Sequence, residues 1–142
     1  MEEETRISKF RSYLFEIINT LTTNRNYQIN TNMLSNEMND YSLDKLPDQT
    51  KIEEYITGTK RYREVYSFKS RKEYSQDTLT NLETMGFFEQ FENAIDDNSE
   101  KGTLPNIDGI EELNRLTPFV FYTNDDGKSA IFEIQIEIIF EK

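Results

Sequence analysis

The sequence predicts an α+β domain, a mostly antiparallel sheet of hairpins with an amino-terminal helix and a central helix pair packed on it. Three observations carry this. Apolar residues recur at three- and four-residue steps near the amino terminus and again after Ser75. A two-residue period sets Tyr62, Tyr66 and Phe68 on one face over 60–69, and Phe132, Ile134, Ile136, Ile138 and Phe140 on one face over 130–141. Glycine-containing turns, Gly58-Thr59 and Asn124-Asp125-Asp126-Gly127, precede the two alternating runs.

Residues 5–23 read as an amphipathic helix. Ile7, Phe10, Leu14, Ile17, Ile18 and Leu21 share one face, and Thr22-Thr23-Asn24 ends it. Residues 24–50 are polar and rich in Asn, and are read as an extended arm or loop. Within them Tyr27 and Ile29, then Tyr41 and Leu43, alternate as short strands, the second stopped by Pro47. Residues 51–57 and Lys60 to Lys69 form a hairpin about Gly58-Thr59. Tyr62, Glu64, Tyr66 and Phe68 point to one face, and Arg61, Arg63, Val65, Ser67 and Lys69 to the other.

Ser75 is the expected N-cap of the central helices, with Leu79, Leu82 and Met85 as an apolar stripe. Gly86 is expected to break or kink the helix. Phe87, Phe88, Phe91 and Ile95 continue an apolar face, and Lys101-Gly102 ends it. A long hairpin follows. Leu113 to Thr123 is one strand, with Pro118 marking an edge or a bulge. Ala130 to Glu141 is the other. Phe132, Ile134, Ile136, Ile138 and Phe140 share one face, while Ile131, Glu133, Gln135, Glu137 and Ile139 share the opposite one.

At 142 residues the chain suits a single domain, 1–142, with one core. Hydrophobic residues make up 35%, so ten Phe and eight Tyr must supply much of that core. Cysteine and histidine are absent, which removes disulfides, Cys/His zinc sites, thiol nucleophiles and the Ser-His-Asp relay. No cofactor is expected, and an enzyme is the least favoured reading. The acidic start Met1-Glu2-Glu3-Glu4 is unlike a signal peptide, and no apolar run is long enough for a bilayer, so a cytosolic start and no membrane partner are expected. The formal charge of −11 argues against binding nucleic-acid phosphate. A solubility charge, a surface that repels passing DNA and a DNA mimic all stay open.

Asp96-Asp97 and Asp125-Asp126-Gly127 lack the spacing of a calcium loop and read as a helix end and a turn. Gly58-Thr59-Lys60 joins two strands and is no phosphate loop. Arg61, Arg63, Lys69, Arg71 and Lys72 form the one basic concentration. The aromatic residues interleaved with them fall on the opposite face, which weakens a nucleic-acid platform. A self-assembling surface competes with a plain solvated face. In it, Arg61, Arg63, Lys69 and Arg71 would meet Glu133 and Glu137 of a neighbouring subunit, with Ile131 and Ile139 adding apolar contact.

From Ile52 to Phe140 the chain resembles the tail terminator, or tail completion, proteins of phages of Gram-positive hosts, often labelled minor capsid proteins. The likeness lies in the hairpin YITGTKRY, the strand YSFKSRKEY, the helix DTLTNLETMGFFEQFENAI closed by GTLP, and the pair RLTPFVFYTNDDGKSAIFEIQIEIIF. It is a pattern over many positions without a single diagnostic motif. The resemblance implies a homo-oligomeric ring, a hexamer, on the head-proximal end of a tail tube. Such a ring stops tube polymerisation and meets neck or connector proteins, and the sheath if the tail is contractile. DNA would pass through its lumen, and the protein would be found in the virion and, during assembly, in the host cytoplasm. A head-completion or neck connector and an acidic DNA-mimic inhibitor are the competing expectations.

Overall fold

Helix α1, Arg6–Leu21, begins at Thr5, whose hydroxyl accepts from the Ser8 amide while the Thr5 amide donates to the Ser8 hydroxyl. This reciprocal pairing satisfies donors that have no partner within the helix. Phe10, Leu14, Ile17 and Ile18 are buried and Ile7 and Leu21 partly so, which is the face read from the sequence. At Thr22 the backbone turns extended. The computed structural model describes residues 5–22, 27–31, 40–47, 50–54, 56–73, 78–123 and 129–142.

Strands β1 (Ile29–Thr31), β2 (Tyr41–Lys45), β3 (Thr50–Glu54) and β4 (Lys60–Glu73) follow. Then come helix α2 (Thr78–Lys101) and strands β5 (Ile110–Arg115), β6 (Val120–Thr123) and β7 (Ser129–Glu141). Among the described residues the seven strands form one sheet in the order β1-β2-β4-β7-β5, with β3 also paired to β4 and β6 to β7. All neighbours are antiparallel except β1 and β2. The α+β architecture is therefore as expected, and the two short strands expected within 24–50 join the sheet. Residues 32–39 of that segment lie outside the described residues.

Two expectations are corrected. The central helix pair is one helix, and Gly86 lies inside it without a break. Glycine costs about 1 kcal/mol there relative to alanine. The buried side chains of Phe88, Phe91 and Ile95, which follow within three turns, offset that cost by tertiary packing. The stripe that includes Leu82 and Met85 is exposed there, not buried. Ser75, the expected N-cap, lies outside the described residues.

The strand expected over Leu113 to Thr123 is two strands, β5 and β6, which pair with the same edge of β7. Pro118, which has no amide hydrogen, falls between them. Around the gap the Leu116 amide donates to the Gln135 carbonyl at 2.9 Å. The Gln135 amide donates to the Thr117 hydroxyl at 3.0 Å, so a side chain replaces a missing rung of the ladder.

Both helices lie on one face of the sheet. Phe10, Leu14 and Ile18 of α1 and Phe91 and Ile95 of α2 pack with Leu43, Tyr66, Phe68, Leu113, Ile134, Ile136 and Ile138. Aromatic rings link the layers, with Phe10 on Tyr66 at 5.0 Å and Phe68 between Tyr41 and Phe91 at 5.3 Å each. The few aliphatic residues are thus supplemented by buried rings. A smaller cluster of Phe88, Ala130 and Phe132 closes the end of the sheet near β6.

Candidate functional site: the outer sheet face

The face of the sheet turned away from the helices holds all eight residues singled out in the sequence. Alternation places Arg61, Arg63, Lys69 and Arg71 of β4 on that side, and register sets them against β7. Arg61 lies opposite Glu141, Arg63 opposite Ile139, Lys69 opposite Glu133 and Arg71 opposite Ile131.

The charges on this face meet one another inside one subunit. The Arg63 guanidinium donates to Glu137, and Arg61 donates to Glu111 at 3.0 Å and also to Glu112. Lys69 Nζ lies 3.6 Å from Glu133 and 3.9 Å from Asp44, and the Ser67 hydroxyl donates to Glu133 at 3.0 Å. Asn114 donates to the other oxygen of Glu137 at 3.0 Å. Arg71 donates to the Ser129 hydroxyl at 3.3 Å. The basic row and the acidic row expected to meet between subunits are therefore adjacent strands of the same sheet. Register explains why, since β4 and β7 pair along their whole lengths. Ile139 is 8% exposed, covered within its own subunit.

The opposite end of this face is different. Ile131 faces Tyr122 across the β6–β7 pair, and Val120 faces Glu133. Val120 and Tyr122 are 54% and 45% exposed. The outer face thus grades from a paired ladder of charges to an apolar corner at the β6 edge.

Two chemically loaded positions on the inner face were not singled out as site residues in the sequence. Glu64 is buried at an inward position of β4. Its carboxylate accepts from Arg6 Nε at 2.5 Å and from the Tyr66 hydroxyl at 2.8 Å, and lies 3.2 Å from Lys45 Nζ. Burial alone raises its pKa, but the hydrogen bonds from Tyr66, Arg6 and Lys45 outweigh burial and hold it below the ordinary carboxylate value. It borders a groove of about 750 Å³ whose lining includes Thr5, Arg6, Lys45, Tyr66, Asp108 and Phe140. A carboxylate this well supplied with donors is a weak base. Its evident work is to tie α1, β2 and β4 together. Its alternation with Tyr62, Tyr66 and Phe68 was the signal that it points inward.

Lys72 is the second. Its ammonium lies 4.8 Å from the Tyr41 ring centroid and 5.1 Å from that of Phe87, and donates to the Tyr41 hydroxyl at 3.2 Å. Burial lowers its pKa to about 8, with the Asp40 charge opposing the shift. Its parity with Phe68 and Ser70 on β4 marked it as inward.

Asp96 pairs with Arg115 through two hydrogen bonds of 3.0 and 2.8 Å, which fasten α2 to β5. It lies within α2, not at the helix end expected from sequence. Among the described residues no three acidic side chains gather as a metal site. Asp125 and Asp126 lie outside them. No helix among the described residues is long and apolar enough to cross a membrane. No protein-family model matches this chain, and no curated protein matches it.

Proposed function

We propose that this chain is a structural protein of a phage-type tail, a ring-forming terminator and not an enzyme. In this reading copies of the chain close into a ring, a hexamer, on the head-proximal end of the tail tube. The ring stops tube polymerisation and offers a surface to the neck and, in a contractile tail, to the sheath. DNA passes through the lumen without being held.

The observation that carries the reading is the exposed apolar corner formed by Val120 and Tyr122 at the outer edge of the sheet. Apolar side chains exposed side by side mark a surface for contact with another chain. The order of hairpin, helix and terminal strand, on which the resemblance to tail terminators rests, is also the order of β3–β4, α2 and β7. The net charge of −11 favours a lumen that repels the DNA backbone.

Electron microscopy of tails assembled with a tagged chain tests the proposal. A ring of label at the head-proximal end of the tube is the expected result. Label within the head-side neck would favour a connector, and a chain missing from assembled tails would overturn the reading.

A further inference from the structure

Helix α2 carries its charge against its own dipole. It holds six carboxylates and one basic residue, Lys101, a net of −5 out of the chain's −11. Its first turn has no acidic residue, whereas Asp96, Asp97 and Glu100 fall close to its carboxyl end. The helix dipole favours the reverse, so these carboxylates weaken the helix that bears them. On the sheet, by contrast, Arg61, Arg63 and Lys69 neutralise the acids beside them.

At about 3.6 residues per turn, Leu82, Met85, Gly86, Glu89, Asp97 and Glu100 share one stripe of α2. It lies opposite the buried Phe91 and Ile95. Leu82 and Met85 are each more than half exposed. Glu89, Asp97 and Glu100 are exposed and enter no ion pair among the described residues. At Gly86 a methyl group would meet no atom within 4 Å, so the packing of this chain does not call for a glycine there.

One occupant answers all of these features. Cations over Glu89, Asp97 and Glu100 would offset both the adverse dipole and the like charges. An apolar side chain seated over Gly86 would cover Leu82 and Met85. Glu89 and Glu100 stand about 16 Å apart along the helix axis. Among the described residues no three acidic side chains close on a point, so the stripe suits a row of cations and not a metal ion. The apolar end favours a peptide over a polyamine, and a second copy, itself at −11, brings the wrong overall sign.

We propose that the outward face of α2 docks an amphipathic basic segment of another protein. Its apolar residues lie over Leu82, Met85 and Gly86, and its Lys or Arg residues over Glu89, Asp97 and Glu100. The inference stands on α2 alone and does not depend on the tail reading.

Fluorescence anisotropy of the full chain with a labelled peptide tests it. The probe is a peptide of leucine and lysine at helical spacing, and the reference has the same composition in an order without an apolar face. Tighter binding of the ordered peptide is expected. Glu89→Lys and Asp97→Lys should each weaken it at least about fivefold at low salt. Glu141→Lys makes the same change of net charge at an exposed residue of β7 and should alter binding less than about twofold. Leu82→Ser should weaken binding at high salt as well, where charge attraction is screened. Gly86→Leu should weaken it while the thermal midpoint is kept, which separates lost docking from lost folding. Equal binding of the two peptides, or equal effects at 89, 97 and 141, would reduce the attraction to net charge and overturn the proposal. Binding left intact by Leu82→Ser and Gly86→Leu overturns it too, as does displacement of the peptide by an equal concentration of spermine. A chain that behaves as expected here but is missing from assembled tails would sink the tail reading alone.

Discussion

Arg63 on β4 and Glu137 on β7 form an ion pair within a single subunit, on the face of the sheet that the helices leave uncovered. Glu137 is largely buried and also accepts from Asn114, so its charge is committed to the fold before any partner arrives. Reversing the sign at Arg63 therefore acts on folding first and on assembly second.

A double-mutant cycle checks this. Arg63→Glu alone should destabilise the monomer to urea, and Glu137→Arg alone should do the same. The swap of both should recover part of the loss, with a coupling of about 1–2 kcal/mol, above an exposed pair because Glu137 is mostly shielded from water. Zero coupling would show that the two charges do not stabilise each other.

Glu64→Gln removes the charge that gathers Arg6, Lys45 and Tyr66. A loss of roughly 3 kcal/mol is expected, at the lower end for a broken buried pair because both cations keep access to water. Since the folded-state pKa of Glu64 is lowered, its contribution is present above the unfolded carboxylate pKa and lost as pH falls through the folded one. Urea titrations of wild type and variant between neutral pH and pH 3 should converge on the acid side. Parallel curves would contradict the assignment.

Lys72 works in the opposite direction. With its pKa lowered to about 8 by burial, the unfolded chain binds more protons than the folded one between pH 8 and the ordinary lysine value of 10.5. Stability should therefore rise across that window through this group. The difference between wild type and Lys72→Met isolates it from the other alkaline titrations. A wild-type advantage that grows between pH 8 and 10.5 is the expected outcome, and a flat difference would refute it.

Gly86→Ala should stabilise the protein by about 0.5–1 kcal/mol. The residue is helical, and a methyl group placed there meets no atom within 4 Å. Thermal unfolding is the measurement, and a lowered midpoint would show that the helix needs the glycine.

The parts of this fold that could be read from sequence are those where one period dominates. Alternation over Phe132 to Phe140 and the three- and four-residue spacing over Phe10 to Leu21 each named the correct buried face. Gly86 misled because local propensity was weighed without the packing of Phe88 and Phe91 that overrides it. The split between β5 and β6 was marked by Pro118, but the Thr117 hydroxyl that bridges it depends on register, which no single strand reveals. The candidate surface was only half visible for the same reason. Composition showed which strands carry charge, while the pairing of β4 with β7 decided that Arg63 and Glu137 meet inside one chain. Glu64 was placed with Tyr66 and Phe68 by its parity on β4, but the partners Arg6 and Lys45 that gather on it come from distant elements; Lys72 was grouped with the basic residues although its parity placed it on the same inward side.

Strand β7 sits between β4 on one side and β5 and β6 on the other, yet it is the last strand in chain order. Tyr66 must wait for Ile136, and Phe68 for Ile134, partners more than sixty residues downstream. On the ribosome, β4 thus emerges with its inner margin uncovered and stays so until the closing strand is made. Sheet closure across such separations is slow, on the order of milliseconds to seconds. Newly made chains at high concentration are therefore vulnerable to joining through the middle of the sheet, and the cell's chaperones would meet this protein at that stage.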